Sequence, residues 1–383
     1  MIYPCRRVTG WKSGPDAMST LPPTLQQIDR TYVLAAGRRL SYFAGCDYFR
    51  QSSHPRIVHA VHTGLDKFGL SVSASRLTTG NHPLYTELEN SVAKFFTAPT
   101  ATLCSIGYTP NIIVAQALAG SFTHALMDER SHGSLIDAAQ FLDCPIVKFR
   151  HRDPANLAEK LRRLPGCHPL IMTDGMFSHD GSAAPLREYL ELLPAEGMIL
   201  LDDAHAAGLL GAHGRGTLEH ANVPRARIIQ SITLSKAFGV YGGMILGDRK
   251  VRAAILARSR MFIGNTPLPL PLAQAALTSV RQLAAHPTPR QRLMKLAGQV
   301  KERLRQVGFP LPNHPGPIIP VIPKSSRETN RWKRALLAAD ILPPFIHYLG
   351  GPAEGYFRFV LSSEHTAEQI DNLVAVFAAQ TRG

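Results

Sequence analysis

Lys236 sits in the run Ser231-Ile232-Thr233-Leu234-Ser235-Lys236-Ala237-Phe238-Gly239, among hydroxyls and small residues. Upstream, Asp202 closes the apolar run Met198-Ile199-Leu200-Leu201 and is followed by Asp203-Ala204-His205. A lysine amine forms a Schiff base with an aldehyde, and a carboxylate keeps a pyridinium nitrogen protonated so that the ring accepts electrons. Pyridoxal phosphate chemistry needs that pair. Alone, Lys236 reads more readily as a surface lysine at a strand end, since exposure is the rule for lysine. An aspartate at the carboxyl end of a buried strand changes the balance. Ligands bind at that edge in open α/β sheets, and an unpaired buried carboxylate is costly. His205, three residues further on, could reach the ring hydroxyl or be a satisfied structural histidine.

Two other segments fit the same ligand. Cys104-Ser105-Ile106-Gly107-Tyr108-Thr109-Pro110-Asn111 reads as a strand-to-helix turn whose free N–H groups could cradle a phosphate, with Thr233 and Ser235 adding hydroxyls. Asp128-Glu129-Arg130-Ser131-His132-Gly133-Ser134 follows another expected strand. His132 there can stack on a flat heterocycle, beside a helix cap built on Ser131.

These residues need a scaffold. From about residue 100, apolar runs alternate with helical patterns. Strands are expected at 101–104, 124–127, 146–149, 170–173, 198–202, 228–233 and 244–247. Helices are expected at 112–118, 133–141, 154–164, 185–193 and 249–262. Such alternation implies an α/β protein with a mostly parallel central sheet covered by helices on both faces. Pro267-Leu268-Pro269-Leu270-Pro271 interrupts it, and one long helical stretch through Gln306 follows. Expected strands at 318–322, 342–346 and 357–361 and helices at 327–339 and 366–380 make a smaller C-terminal α+β domain. The expected division is an N-terminal extension and irregular segment at 1–54, a large cofactor-binding domain at 55–270 and a small domain at 271–383.

The chain has 383 residues, of which 45% are hydrophobic and 18% charged, ordinary for a globular enzyme. No apolar run is long enough to span a membrane, and the first residues lack a signal peptide's apolar core. The expected compartment is the cytoplasm, with residues 1–17 a poorly ordered extension and Met18 an alternative start. Five cysteines without a CxxC pair point to reduced thiols rather than a disulfide or zinc framework, and no metal is expected. The net charge of +14 is concentrated at 249–260, 290–305 and 324–334. It reads as a solvated surface or as attraction for an anionic substrate such as coenzyme A or an acidic carrier protein. No recognition motif accompanies it, so nucleic acid is not an expected partner.

The chain resembles the α-oxoamine synthase family of fold-type I pyridoxal phosphate enzymes from about Gly37 to the C-terminus. The carriers are Gly80–Glu89, Ser105–Tyr108, Asp128–Ser134, Thr173–Gly181, Asp202–Gly216, Thr233–Gly243 and Arg358–Thr366, in the family's order. The resemblance implies that Lys236 forms the Schiff base and moves the α-proton. Asp202 would pair with the pyridine nitrogen, His205 and Ser178 would lie near the phenolic oxygen, and His132 would stack on the ring. Gly107, Tyr108 and Thr233 would surround the phosphate, and Arg358 would bind the amino-acid carboxylate. It further implies a homodimer with shared sites, in which Asn265 or Thr266 takes the place of the hydroxyl a neighbouring subunit lends to the phosphate. The implied reaction is a decarboxylative Claisen-type condensation of a small amino acid (glycine, alanine or serine) with an acyl thioester on coenzyme A or an acyl-carrier protein, giving an aminoketone. Cys46 stands where the family has an asparagine that helps hold that carboxylate. Aminotransfer, retro-aldol cleavage and racemisation remain alternatives with the same cofactor. A catalytically silent partner subunit is a further one, against which the joint retention of Lys236, Asp202, His205 and His132 argues.

Overall fold

The computed structural model describes residues 22–347 and 351–381. The expected extension at 1–17 and Met18 lie outside them.

Seven strands form the central sheet: β4 (Thr100–Cys104), β5 (His124–Asp128), β6 (Ile146–Phe149), β7 (Pro169–Asp174), β8 (Met198–Asp202), β9 (Ile228–Thr233) and β10 (Gly243–Gly247). Their order is β4-β10-β9-β8-β7-β5-β6. The run from β9 to β6 is parallel, and β10 is antiparallel to both of its neighbours. Every residue of β7 and β9 is buried, as a sheet covered on both faces requires. One apolar layer joins Ile113, Met127, Leu170 and Leu200, and another joins Phe149, Ile171, Tyr189 and Leu201. Alternate residues of one strand thus serve opposite layers.

Caps fix the helix starts. The Asp153 carboxylate accepts from Asn156 N at 2.9 Å at the head of Pro154–Arg162, and Asp248 accepts from Val251 N at 2.8 Å at the head of Arg249–Arg258. Two expected helices are divided. The one at 249–262 breaks at Ser259, whose hydroxyl caps the short helix Arg260–Ile263. The stretch through Gln306 breaks at His286-Pro287, leaving Leu270–Ala285 and Thr288–Gln306, because Pro289 fits only the first turn of a new helix.

The segment before residue 55 is more ordered than its sequence suggests. It forms a small antiparallel sheet of β1 (Gln26–Gln27), β2 (Tyr32–Ala35) and β3 (Arg38–Ser41). Ala36 (φ 48°) and Gly37 (φ 76°) turn the β2–β3 hairpin with the positive φ values a two-residue loop needs. Strands of two to four residues are too short to show alternation, so the pattern is not visible in the sequence. The segment runs along the C-terminal sheet, made of β11 (Ile318–Val321), β12 (Phe345–Ile346) and β13 (Tyr356–Val360). Val360 N donates to Phe43 O at 2.8 Å and Ser363 N to Tyr48 O at 2.9 Å. Helix Leu270–Ala285 lies against helices Pro55–Phe68 and Pro83–Phe95 of the large unit.

Several of the basic residues are engaged by other groups of the chain. Arg252 pairs with buried Glu89 at 3.0 Å, Arg303 pairs with Asp371 at 2.8 Å, and Arg290 and Arg258 donate to the carbonyls of Ala212 and Ala119. Among the described residues, no helix is long and apolar enough to cross a membrane, and the four cysteines present are free thiols.

Candidate active site

The carboxyl edge of the parallel strands carries Asp174 at the end of β7 and Asp202 at the end of β8, directly paired in register, with Ser231 of β9 on the far side of Asp202. Both carboxylates are buried. Asp202 Oδ2 accepts from Asn111 Nδ2 at 2.7 Å and from Ser134 Oγ at 3.1 Å, and Oδ1 accepts from Ala204 N at 3.1 Å. A carboxylate has about four acceptor sites, so one is left for a donor in the cleft. Strand alternation sends the next residue the other way. Asp203 faces Thr217 and Gln230, where burial pushes its carboxyl up to about 6 against the hydrogen bonds that stabilise its charge. The choice between two adjacent aspartates is thus made by the side of the sheet each one faces.

Lys236 lies in the tight loop after β9. Leu234 N donates to Gly242 O at 2.9 Å and Gly239 N to Lys236 O at 2.9 Å. Gly239 holds φ 63°, and a Cβ there would come within 2.4 Å of Gln51 Cβ, so the loop accepts only glycine. Burial lowers the pKa of the Lys236 ammonium, opposed by the charges of Asp202 and Asp174. A lysine that gives up its proton more readily than usual suits both a nucleophile and a base.

Two imidazoles complete the centre. His205 is buried, bonds through Nδ1 to the Tyr48 hydroxyl at 2.8 Å, and is held well below its usual pKa by burial and then by Lys236 and Arg358. His132 is itself the cap of helix Gly133–Ala139: its Nδ1 accepts from Ser134 N at 3.2 Å. This replaces the cap expected on Ser131, whose hydroxyl turns instead to Met172 O at 3.3 Å. His132 N donates to Asp174 Oδ2 at 2.8 Å, and Tyr108 meets the His132 ring edge-on at 5.9 Å. Burial lowers the His132 pKa as well. Lys236, Asp202, His132 and His205 are close enough for their charges to act on one another.

At the other end, Gly107 and Thr233 abut. A Cβ on Gly107 would fall 2.2 Å from Thr233 Oγ1, which is 2.6 Å from Ser235 Oγ. The turn opens helix Thr109–Ala117, which has no side-chain cap. Tyr108 donates to Asp137 Oδ2 at 2.6 Å. Asn265 Nδ2 donates to Ser105 Oγ at 2.8 Å, and Ser105 in turn donates to the carbonyl of exposed Thr266 at 2.8 Å. On the substrate side, Arg358 of β13 donates through Nε to the carbonyl of buried Ser178 at 2.5 Å, and its Nη2 lies 3.5 Å from Cys46 Sγ. Every expected site residue therefore lies on the carboxyl edge of the sheet, in the turns leading from it, or in the segments that cover it.

Three participants escape a reading of the sequence: Asn111, which orients Asp202; Tyr48, which holds His205; and Asp174, which anchors His132. Asn111 and Asp174 lie inside quoted motifs but far from the residues they serve, and only tertiary packing brings them together. The donor set fits pyridoxal phosphate. A buried carboxylate keeps an acceptor site open, a lysine lies within reach of its charge, and a glycine-lined turn has no room for a side chain at the phosphate end.

The aminotransferase class I and II family matches residues 46–377. The chain belongs to that family. It is 33% identical over 351 residues to the 8-amino-7-oxononanoate synthase of Thioalkalivibrio sulfidiphilus (strain HL-EbGR7), covering 91% of this chain and 90% of that protein. Serine palmitoyltransferase of Sphingomonas wittichii superposes with a TM-score of 0.87 at 28% identity, covering 93% of this chain and 91% of that one. A pyridoxal phosphate-bound serine palmitoyltransferase superposes with a TM-score of 0.87 at 27% identity, covering 94% of this chain and 92% of its own. The chain is a pyridoxal phosphate-dependent acyltransferase of the α-oxoamine synthase group, with the fold-type I architecture of these neighbours.

Proposed function

We propose that this α-oxoamine synthase joins a small amino acid (glycine, alanine or serine) to an acyl thioester, releasing carbon dioxide and the free thiol and leaving an aminoketone. The observation that carries the reading is that Asp202 and Arg358, from two different sheets, both act electrostatically on buried Lys236. Pyridoxal phosphate, when bound, supplies the electron sink for charge left at the α-carbon. Asp202, held by Asn111 and Ser134, would pair with the ring nitrogen. Lys236 Nζ would take the α-proton and later return one. The Arg358 guanidinium would hold the substrate carboxylate as a planar fork, oriented by its bond to the Ser178 carbonyl. His132 and neutral His205 would close the ring faces and edge against water. Gly107, Tyr108, Thr233, Asn265 and Thr266 would form the phosphate end.

The acyl group would arrive on coenzyme A or an acyl-carrier protein, drawn by the basic surface. The working unit would be a homodimer in the cytoplasm. For domain organisation we propose that the N-terminal segment runs to residue 54 and that the large unit extends through Ala285 rather than residue 270, because helix Leu270–Ala285 rests on it.

The test is a visible spectrum of the purified protein titrated with glycine, L-alanine and L-serine, then with an acyl thioester, with Lys236→Ala in parallel. A yellow protein that responds to one amino acid and then releases carbon dioxide and thiol is expected. Amino-group transfer or racemisation without carbon dioxide would replace this reading.

A further inference from the structure

Beside the catalytic edge lies a second group of chemistry-bearing side chains that the reaction above does not use. His151 follows β6, and His179 and Asp180 follow β7. Ligand atoms of these three residues all lie within 4.8 Å of one another. His179 is 5% exposed, and its buried Nε2 has no hydrogen-bond partner among the described residues. Leaving a buried nitrogen unmatched is costly. It faces Asp180 Oδ2 at 3.7 Å, and His314 Nε2 approaches the same oxygen from the loop before β11 at 3.5 Å. The His151 ring is 5.4 Å from that of His179, and its Nδ1 lies 3.0 Å from Asp128 Oδ1. A proton donated there leaves the lone pair on Nε2. The Asp128 carboxylate is itself fixed by Arg130 N and Arg152 N, each at 2.9 Å.

We propose that His151, His179 and Asp180 bind a divalent transition-metal ion, zinc by preference, with His314 as the fourth ligand. Zinc bonds of roughly 2.0–2.2 Å in a tetrahedron place ligand atoms roughly 3.3–3.5 Å apart. The 3.5 and 3.7 Å spacings around Asp180 Oδ2 come close to that. Imidazole nitrogens with one carboxylate oxygen suit zinc, whereas calcium and magnesium prefer all-oxygen shells. The Asp128–His151 contact is the outer carboxylate that orients metal-bound histidines. Two cations lie near. Arg130 borders the adjoining cavity of about 390 Å³, and Lys301 is turned to the carbonyls of His314 and Gly316 at 2.7 and 2.5 Å. Asp128 and Asp180 supply the opposing charge.

The ion would act as a clasp. His179 directly follows Ser178, whose carbonyl receives Arg358, and His314 belongs to the segment leading into the C-terminal sheet. Zinc would therefore fix the turn that positions Arg358 against the small unit.

The test uses untagged holoenzyme, stripped with a chelator and dialysed against zinc chloride, with bound zinc counted per chain by mass spectrometry and affinity measured by calorimetry. About one zinc per chain, with affinity at least about tenfold weaker in His179→Gln and in Asp180→Asn and the cofactor absorption unchanged, is the expected result. A wild-type chain that retains no zinc overturns the proposal whether or not the variants fold. Equal binding in wild type and both variants also overturns it, since the ion would then sit elsewhere. Zinc counting does not read turnover, so this result stands apart from the reaction assignment.

Discussion

Asn111 Nδ2 donates to Asp202 Oδ2 at 2.7 Å while Asn111 Oδ1 accepts from Ser231 Oγ at 2.6 Å. One amide thus ties a helix to two adjacent strands and fixes the carboxylate that would face the cofactor nitrogen. A hydrogen bond to a charged group contributes about 1.5–3 kcal/mol. Asn111→Ala should therefore weaken pyridoxal phosphate binding about tenfold to hundredfold, read by visible titration of the apoenzyme. Unchanged affinity would show that Ser134 and the Ala204 N–H orient Asp202 without it.

The Gly107 turn makes a steric prediction. With Thr233 Oγ1 only 2.2 Å from where a Cβ would stand, Gly107→Ala must push Thr233 or the turn aside. Cofactor affinity should fall at least about tenfold, by the same 1.4 kcal/mol or more that displacing one charge-assisted hydrogen bond costs. Inorganic phosphate should protect the wild-type apoenzyme against thermal unfolding more strongly than the variant.

Cys46 faces the Arg358 guanidinium at 3.5 Å, where a thiol is a weak donor. Cys46→Asn supplies two N–H donors at the same place. The KM for the amino acid should fall about threefold to tenfold, in keeping with about 1 kcal/mol for a net hydrogen bond, while the KM for the thioester stays constant. A rise in amino-acid KM would show that the thiol itself suits the substrate.

His365 provides a pH signature. Its Nδ1 accepts from Ser362 N at 2.9 Å, its Nε2 faces Tyr42 O at 3.0 Å, and it stacks on Phe43 at 4.3 Å. Burial and the Arg50 charge lower its pKa to about 3. A histidine depressed in the folded state leaves the unfolded chain binding the extra proton. Stability is therefore full above the unfolded value of about 6.5 and falls as pH drops below it, by about 1.4 kcal/mol per pH unit at most. Asp203, raised to about 6, contributes with the opposite sign as pH rises from about 3.9 to 6, so the difference between wild type and variant is the clean readout. His365→Asn keeps an acceptor for Ser362 N and should flatten the dependence of denaturant stability on pH between 6.5 and 4.5 by close to one proton. An identical slope would remove His365 as its source.

The cofactor chemistry and most of the scaffold were legible in residue types and their spacing. Lysine behind one apolar run and aspartate behind another mark the cofactor, because covalent capture and a buried counter-charge each demand one residue type in one kind of place. β6, β8 and β9 begin and end where alternating apolar runs put them, since a fully covered sheet needs continuous hydrophobic strands. Less was visible where local pattern is weak. The β1–β3 sheet carries mixed short strands, and the break at His286-Pro287 separates two helices whose periodicities nearly join.

Tertiary structure decided what depends on register. Parallel pairing aligns Asp174 with Asp202, and the sheet's pleat sends Asp202 to the cleft and Asp203 behind it. Asn111 and Tyr48 meet Asp202 and His205 across 91 and 157 residues of chain. His151, His179, Asp180 and His314 converge only because three loops end at one corner of the fold. Residue type limits the chemistry a side chain can do, but pairing between distant segments selects its partners, and that pairing is a property of the packed chain.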